Sequence, residues 1–400
     1  MTLQLLRAHR NIPLLFAIRI CRAFCINLIW TTWPLFVQSL GASVYEVSLV
    51  WALGGVASVL TAIPLSAFSD RFGRKPAMLL SLFFTIMPNF AYTFCTSWEQ
   101  LIPLKMLANL NDNMYNPTEA AMIADISVPS NRGRLYGLVG VAHPIGSIVA
   151  PLVGGWILDN YGWNAVFYSI IFSATLAIVP TLYLTETVPI SEQHAKAGSN
   201  QPYRGKRLDP RFLHPMLIFA VFNFFEAARM GLSQVTSIYL KERFNATSFQ
   251  QGLFFSFGTM VPFLLIQFFG GWFADKYDRR KIIIASTLLW PVLMWPWPRM
   301  DSYKSLLFLQ TTITLTRFMV PASQAYLMDF VDETKRGIAN GIFNLGQQIG
   351  GSVVGPSLFG YVYEGYGRAA PFYVAALIPL PAIPILMLLK DEMKKTTHPD

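Results

Sequence analysis

Eight ionisable side chains stand inside long apolar runs of this 400-residue chain: Arg19 and Arg22 in the first run, Lys105, Asp112 and Glu119 in the fourth, Glu226 and Arg229 in the seventh, and Arg317 in the tenth. The other eight runs carry no Lys, Arg, Asp or Glu in their interiors. An arginine held in an apolar setting offers a planar fork that fits carboxylate or phosphate. A carboxylate in the same setting can carry a proton, because burial raises its pKa while a nearby arginine lowers it.

Their spacing is helical. Lys105, Asn109, Asp112, Asn116 and Glu119 fall at i, i+4, i+7, i+11 and i+14, one narrow stripe. Gln310, Thr314, Arg317 and Gln324 repeat the pattern in the tenth run, and Asn223, Glu226, Ser233 and Ser237 share a face in the seventh, with Arg229 at its edge. By depth, Arg22, Asp112, Glu226, Arg229 and Arg317 sit nearest the middle of their runs, Lys105 toward one end, Arg19 and Glu119 toward the other. Two chemistries are open: ion pairs that hold helices together, such as Asp112 with Arg22 and Glu226 with Arg229 or Arg317, or binding of an anionic group with proton carriage by Glu226, Asp112 or Glu119. Five basic against three acidic groups favour an anion. His143, alone in an apolar run, reads as a satisfied neighbour, and Asp125 and Asp329 as partners of Arg132, Arg134 or Arg336 in nearby loops.

The runs that position these residues number twelve, near 12–38, 46–68, 77–95, 99–125, 136–157, 163–185, 212–240, 249–274, 282–298, 303–329, 338–362 and 370–389. At 53% hydrophobic and 13% charged residues, the chain is too apolar for a soluble core, and each run is about the length of one helical bilayer crossing. Period-2 alternation is absent, so the fold is all-α and integral to the membrane. A first run too long for a cleaved signal is read as a retained span. The net charge of +9 does not point to nucleic acid, because the basic residues cluster in short loops. Of 31 Lys and Arg, 21 fall on one side and 5 on the other, which predicts that both termini and the polar linker 186–211 face the cytoplasm of a cell-membrane protein.

Asp70 and Asp275, Pro117 and Pro321, Asp125 and Asp329, and Arg132 and Arg336 are each 204 or 205 residues apart, the mark of a duplication into halves 1–185 and 212–400. Such halves place substrate near the bilayer midplane. Cys21 and Cys25 share a face at i, i+4 with no histidine in their span and read as packing, so neither metal nor cofactor is expected. Trp30, Trp33, Trp51 and Tyr115 are either interfacial anchors or stacking surfaces.

The loop after the second span reads Ser66, Asp70, Arg71, Gly73, Arg74, Lys75, and a second copy keeps Gly271, Asp275, Arg279 and Arg280, with Lys276 and Asp278 replacing an Arg and a Gly. The fifth span carries Gly146, Ala150, Pro151, Gly154 and Gly155, and the eleventh Gly351, Gly355, Pro356 and Gly360. In these motifs the chain resembles the major facilitator superfamily, whose loop signature is G-x-x-x-D-R-x-G-R-[RK] and whose fifth-helix pattern is G-x-x-x-G-P-x-x-G-G. The resemblance implies twelve transmembrane helices in two pseudo-symmetric six-helix bundles around a central cavity lined by helices 1, 4, 7 and 10. It implies that the Asp70 and Asp275 loops latch one conformation, Asp70 by accepting backbone donors at a neighbouring helix N-terminus while Arg71, Arg74 and Lys75 hold that carboxylate and face anionic headgroups, and that Lys105 stands where the family usually has a basic residue, more often Arg. The fifth-helix pattern, here with Ala150 for one Gly, is associated with antiporter-type exporters, although close packing of helices accounts for it better than a direct role in preventing leak. Arg22 and Arg229, 207 residues apart, resemble the paired arginines of the superfamily's organic-phosphate exchangers.

Together these readings predict a monomeric, proton-coupled secondary transporter, not an enzyme, exporting small amphipathic or anionic organic molecules by antiport. The expected partners are a small-molecule substrate, protons and the lipid bilayer. Uptake or exchange of an organic anion, and a sensor that keeps the fold without transporting, remain open alternatives.

Overall fold

The structure, a computed structural model, describes residues 10–128, 131–188, 210–317, 323 and 336–388. All regular structure among them is helical. The N-terminal helices are α1 (Asn11–Trp30), α2 (Trp33–Ser39), α3 (Val44–Phe72), α4 (Arg74–Tyr92), α5 (Leu101–Ile126), α6 (Arg132–Gly140) and α7 (Ala142–Leu182). There follow α8 (Pro210–Ala228), α9 (Leu232–Phe244), α10 (Ser248–Phe255), α11 (Val261–Lys276), α12 (Arg279–Met294), α13 (Tyr303–Leu315), α14 (Arg336–Gln348), α15 (Gly355–Tyr366), α16 (Ala370–Leu377) and α17 (Ala382–Leu388). Each of the twelve apolar runs carries helix. Most of the linker expected at 186–211 lies outside the described residues.

Several runs are broken, each for a local reason. Pro34, which has no N–H to give to an ongoing helix, sits in the first turn of α2 and separates it from α1. Gly162 breaks α7 with φ 79°, between the expected fifth and sixth spans, a conformation only glycine adopts without strain. Arg229–Gly231 is a 3-10 turn between α8 and α9. The tenth run, expected at 303–329, is helical as α13 to Leu315 and again at Ser323, with Arg317 just beyond the end of α13; residues 318–322 and 324–329 lie outside the described residues.

Two wide π-helical turns, Ser256–Met260 and Ile349–Val354, interrupt the eighth and eleventh runs. The carbonyls of Phe257 and Gly258 in the first of them accept hydrogen bonds from the Thr311 and Thr314 hydroxyls at 3.4 and 2.8 Å. Gln310 donates to Thr259 at 3.4 Å and accepts from the Trp297 indole at 3.1 Å. Gln310 and Thr314, read as part of a ligand-facing stripe, are thus engaged with the eighth and ninth runs. Gln324 and Pro321 lie outside the described residues.

The helices cluster into two compact units. One comprises Met1–Gly41, Leu53–Arg204 and Thr247–Ser256, the other Ala42–Ala52, Gly205–Ala246 and Phe257–Asp400. In the first unit α1 lies along α7, its most extensive helix contact. The approach is backbone on backbone: a side chain on Gly146 would meet the Ile20 carbonyl at 2.7 Å and the Phe24 nitrogen at 2.9 Å, and one on Gly154 would enter the Leu28 carbonyl. The second unit repeats the device, with Gly350 on the Phe224 carbonyl and Gly355 on the Ala228 carbonyl. The glycine strings are therefore helix-packing surfaces, as small residues in membrane helices commonly are. The α3 and α5 helices are joined by polar contacts instead: Ser58 donates to the Asn113 side chain, which donates to the Ser58 carbonyl and to Thr61.

Two glycines should respond oppositely to substitution. Gly154→Val, forced into Leu28, is expected to destabilise by about 1–3 kcal/mol. Gly133→Ala, with open space around it in α6, should be neutral or stabilising by about 0.5–1 kcal/mol. Thermal unfolding of the detergent-purified variants checks both signs.

Candidate functional site

In the first unit, α1 and α5 bring the expected charges together. Arg22 pairs with Asp112 at 2.6 Å and lies over the Tyr115 ring with its guanidinium carbon 3.7 Å from the centroid. The Tyr115 hydroxyl donates to Glu119 at 2.8 Å, and the other oxygen of Glu119 pairs with Arg19. The result is one chain of contacts, Asp112 to Arg22 to Tyr115 to Glu119 to Arg19, formally neutral. It runs from wet to dry: the Asp112 side chain is 53% exposed and that of Glu119 3%.

The Arg22–Asp112 pair is the one expected. The Arg19–Glu119 pair was missed, although its signal was present. Arg19 lies one turn before Arg22 and Glu119 two turns after Asp112, so side-by-side antiparallel helices bring both sets into register. Tyr115, read as an anchor or stacking surface, links the two pairs. Lys105 and Asn109 pack on the bare face of Gly54, with the Lys105 ammonium 5.0 Å from the Trp33 ring centroid and within electrostatic reach of Asp112. Asn116 is exposed. His143 is exposed and within electrostatic reach of Arg19, Arg22 and Asp112.

The second unit holds the other cluster. Glu226 and Arg229, one turn apart on a helix that tightens at Arg229, pair at 2.8 Å with both side chains almost fully buried. Thr287 donates to the second Glu226 oxygen at 3.3 Å. Arg229 lies 4.0 Å from the Trp290 ring centroid, and the Trp290 indole is fixed by donating to the Ala375 carbonyl at 2.9 Å. Beside them is a cavity of about 70 Å³ lined by Asn223, Glu226, Arg229, Arg317, Ser323 and Gln347 among others. Asn223 is held by a bond to the Phe343 carbonyl at 2.9 Å.

Arg317 reaches this cavity from the backbone that has just left α13 and sits over Phe263 at 5.6 Å. Its Nε is buried and has no hydrogen-bond partner among the described residues. Of the two arginines left open as partners of Glu226, the structure pairs Arg229 with it. The cluster of Glu226, Arg229 and Arg317 carries a formal charge of +1.

At the Asp70 loop, one guanidinium does most of the binding. Arg74 pairs with Asp70 at 2.5 Å and with Asp125 at 3.3 Å, and donates to the Ser69 hydroxyl at 2.9 Å. Asp125 therefore pairs with Arg74, not with Arg132 or Arg134 as expected. It is 33% exposed, within reach of the loop arginine that α4 presents, and it also accepts from Thr187 at 2.8 Å. The anion at the α4 N-terminus is Glu186, which accepts from the Arg74 and Lys75 amides at 2.9 and 3.0 Å, where the helix dipole favours negative charge. Gly73, with φ 102°, makes the turn that presents those amides.

The Lys75 ammonium donates to the Leu182 carbonyl at 2.5 Å, and Arg71 is exposed against Phe72. In the second copy Asp278 caps α12 by accepting from the Arg280 and Lys281 amides, and the Arg280 side chain reaches the Met387 carbonyl at 3.4 Å. Arg279 opens α12. Asp329 and the side chains of Asp275 and Arg336 lie outside the described residues.

A sequence model described as Major Facilitator Superfamily matches residues 15–261 and 218–400. Multidrug resistance protein 1 of Bacillus subtilis is 24% identical over 360 residues, covering 88% of this chain and 89% of that protein. Multidrug resistance protein MdtG of Yersinia enterocolitica is 25% identical over 375 residues, covering 88% and 86%. Among solved structures, a bacterial homologue of the human lysosomal transporter Spinster, in an inward-facing and occupied conformation, superposes with a TM-score of 0.75 at 13% identity, covering 95% and 96% of the two chains.

Burial separates the two ion pairs energetically. Glu226→Ala strands Arg229 and should destabilise by about 3–5 kcal/mol, whereas Asp112→Ala, which removes a half-exposed carboxylate and leaves the buried Arg22 within reach of water and still on the Tyr115 ring, should cost less. Replacing Glu226 and Arg229 together by Leu and Met should recover most of the loss. Thermal melts of the four proteins test this, and equal losses at Glu226 and Asp112 would contradict the burial argument.

Proposed function

Because the chain belongs to the Major Facilitator Superfamily of multi-pass membrane transporters, we propose that it is a proton-coupled secondary transporter that exports small amphipathic or anionic molecules by alternating access. One observation carries the reading: the buried carboxylates of both clusters, Glu119 and Glu226, are each held by an arginine on the ligand-facing helices. Protonating Glu226 removes the charge that holds Arg229 and frees the guanidinium. An arriving proton and a departing substrate are thereby linked through one salt bridge. In the first unit Asp112 is accessible enough to exchange its proton with water, and Tyr115 passes the state of that pair on to Glu119.

The relatives named as multidrug resistance proteins support export of amphipathic molecules, for which Tyr115, Trp33 and Trp290 offer aromatic surface. Lys105, Asn109 and Asn116 extend the polar stripe of α5 and contribute to binding along it. The Asp70 loop, with Asp275, Arg279 and Arg280 of its second copy, acts as the conformational latch, and Arg74 is its central residue. Halves 1–185 and 212–400, the linker 186–211 and both termini on the cytoplasmic side complete the proposal, with the chain acting as a monomer.

The +1 cavity favours a second reading, uptake or exchange of an organic anion, with Arg317 and Arg229 binding the anionic group. Proteoliposomes given an imposed pH gradient and a panel of lipophilic cations and organic anions discriminate the two. Export predicts proton-driven movement of amphipathic dyes against their gradient; accumulation of anions alone, lost in Arg317→Ala, would favour the second. Glu226→Gln should abolish gradient-driven flux while sparing counterflow, and loss of both would assign Glu226 to binding or structure.

A further inference from the structure

Two capping boxes stand 204 residues apart. Ser43 accepts from the Glu46 amide at 3.2 Å while Glu46 accepts from the Ser43 amide at 2.8 Å, and Thr247 and Gln250 exchange the same pair of bonds at 3.2 and 3.0 Å. A capping box satisfies the amides at its own two ends and leaves those of the first turn open. In both copies a carboxylate from a different helix takes them. Asp159 of α7 accepts from the Ser248 and Phe249 amides at 2.9 and 2.8 Å, and Glu364 of α15 accepts from the Tyr45 amide at 2.8 Å.

Asp159 and Glu364 are 205 residues apart, so the acids repeat along with the boxes. Each stands one turn after a glycine of the packing strings, and each glycine is the floor on which the capped helix rests. Gly155 lies against the Ser248 carbonyl, and Gly360 against the Ser48 side chain and the Tyr45 Cα. Both acids are exposed at the surface of their helices. The contacts thus sit where water can replace them.

The stretches they hold are unusual in one respect. Residues 247–256 belong to the first unit, while the helical run they open continues in the second. Residues 42–52 belong to the second unit, while α3 continues in the first. Each carboxylate therefore fixes to one unit the leading turns of a helix whose remainder is part of the other, at the end of α3 opposite the Asp70 loop.

The geometry points to Asp159 and Glu364 as a matched pair of conformational clamps that close together and release together, giving up their helix N-termini to water in the alternate state of the molecule. The inference extends the alternating-access reading. Its test does not use transport, so its failure leaves that reading untouched.

Two buried reporters lie inside the clamped stretches, Ser48 beside Gly360 and Gln251 in the first turns of α10. In a Cys95→Ser background, Ser48→Cys and Gln251→Cys are each labelled with a hydrophilic maleimide in native membranes. Asp159→Asn and Glu364→Gln, isosteric changes at exposed positions, should each raise the labelling rate of both reporters by about tenfold, the equivalent of one charge-assisted hydrogen bond. Asp159→Glu and Glu364→Asp, which keep the charge, should stay near the parent rate. Labelling unchanged at both reporters, or raised only at the reporter beside the altered acid, would overturn the paired clamp.

Discussion

A charge placed inside a bilayer has to be answered by another group, because facing lipid alone costs several kcal/mol. The two clusters follow from this constraint. Arg22 and Asp112, Arg19 and Glu119, and Glu226 and Arg229 are each within ion-pair reach, and the helices that carry them must sit at a fixed distance and rotation for those pairs to form. The glycine faces set that distance. With Gly146 and Gly154 seated on the backbone of α1, the rotation of α1 is fixed from the side opposite its charges.

The two units meet the same constraint differently. In the first, the partners come from two helices, so pairing depends on the α1–α5 contact and the charges cancel. In the second, Glu226 and Arg229 are one turn apart on the same stretch of chain, and Arg317 enters from the end of a different helix as an additional cation. A duplicated scaffold has become electrostatically unequal: a neutral network open to water at Asp112 in one copy, a positive cavity in the other.

Much of this was legible in the sequence, because charge within an apolar run is rare enough to read one residue at a time. The pair Arg22–Asp112 could be named from depth and spacing alone, and Glu226 could be narrowed to Arg229 or Arg317. What stayed hidden depended on chain direction or on breaks in helices. The Arg19–Glu119 pair requires knowing that α1 and α5 lie side by side and antiparallel. That Arg74, expected to hold Asp70, also takes Asp125 requires knowing which way Arg74 turns after Gly73. Glu186 looked like the first residue of a polar tether, and nothing in its neighbours indicates that it caps α4. The stop of α13 before Arg317 stands ahead of Pro321, which has no N–H to give to the Arg317 carbonyl, a break that hydrophobic periodicity does not register.

Where two helix backbones touch through glycine, there is no layer of side chains between them to change rotamer or deform. The α1–α7 pair in one unit, and the α8 pair with the π turn and α15 in the other, behave as stiff struts. A change of shape in the molecule is then absorbed where the helices are already interrupted, among them at Gly162, at the 3-10 turn Arg229–Gly231 and at the chain leaving α13. Two of these three interruptions carry an arginine that lines the charged cavity. The most compliant points of the second unit and its most highly charged points coincide, so whatever binds there acts on the joints of the molecule and leaves its beams undistorted.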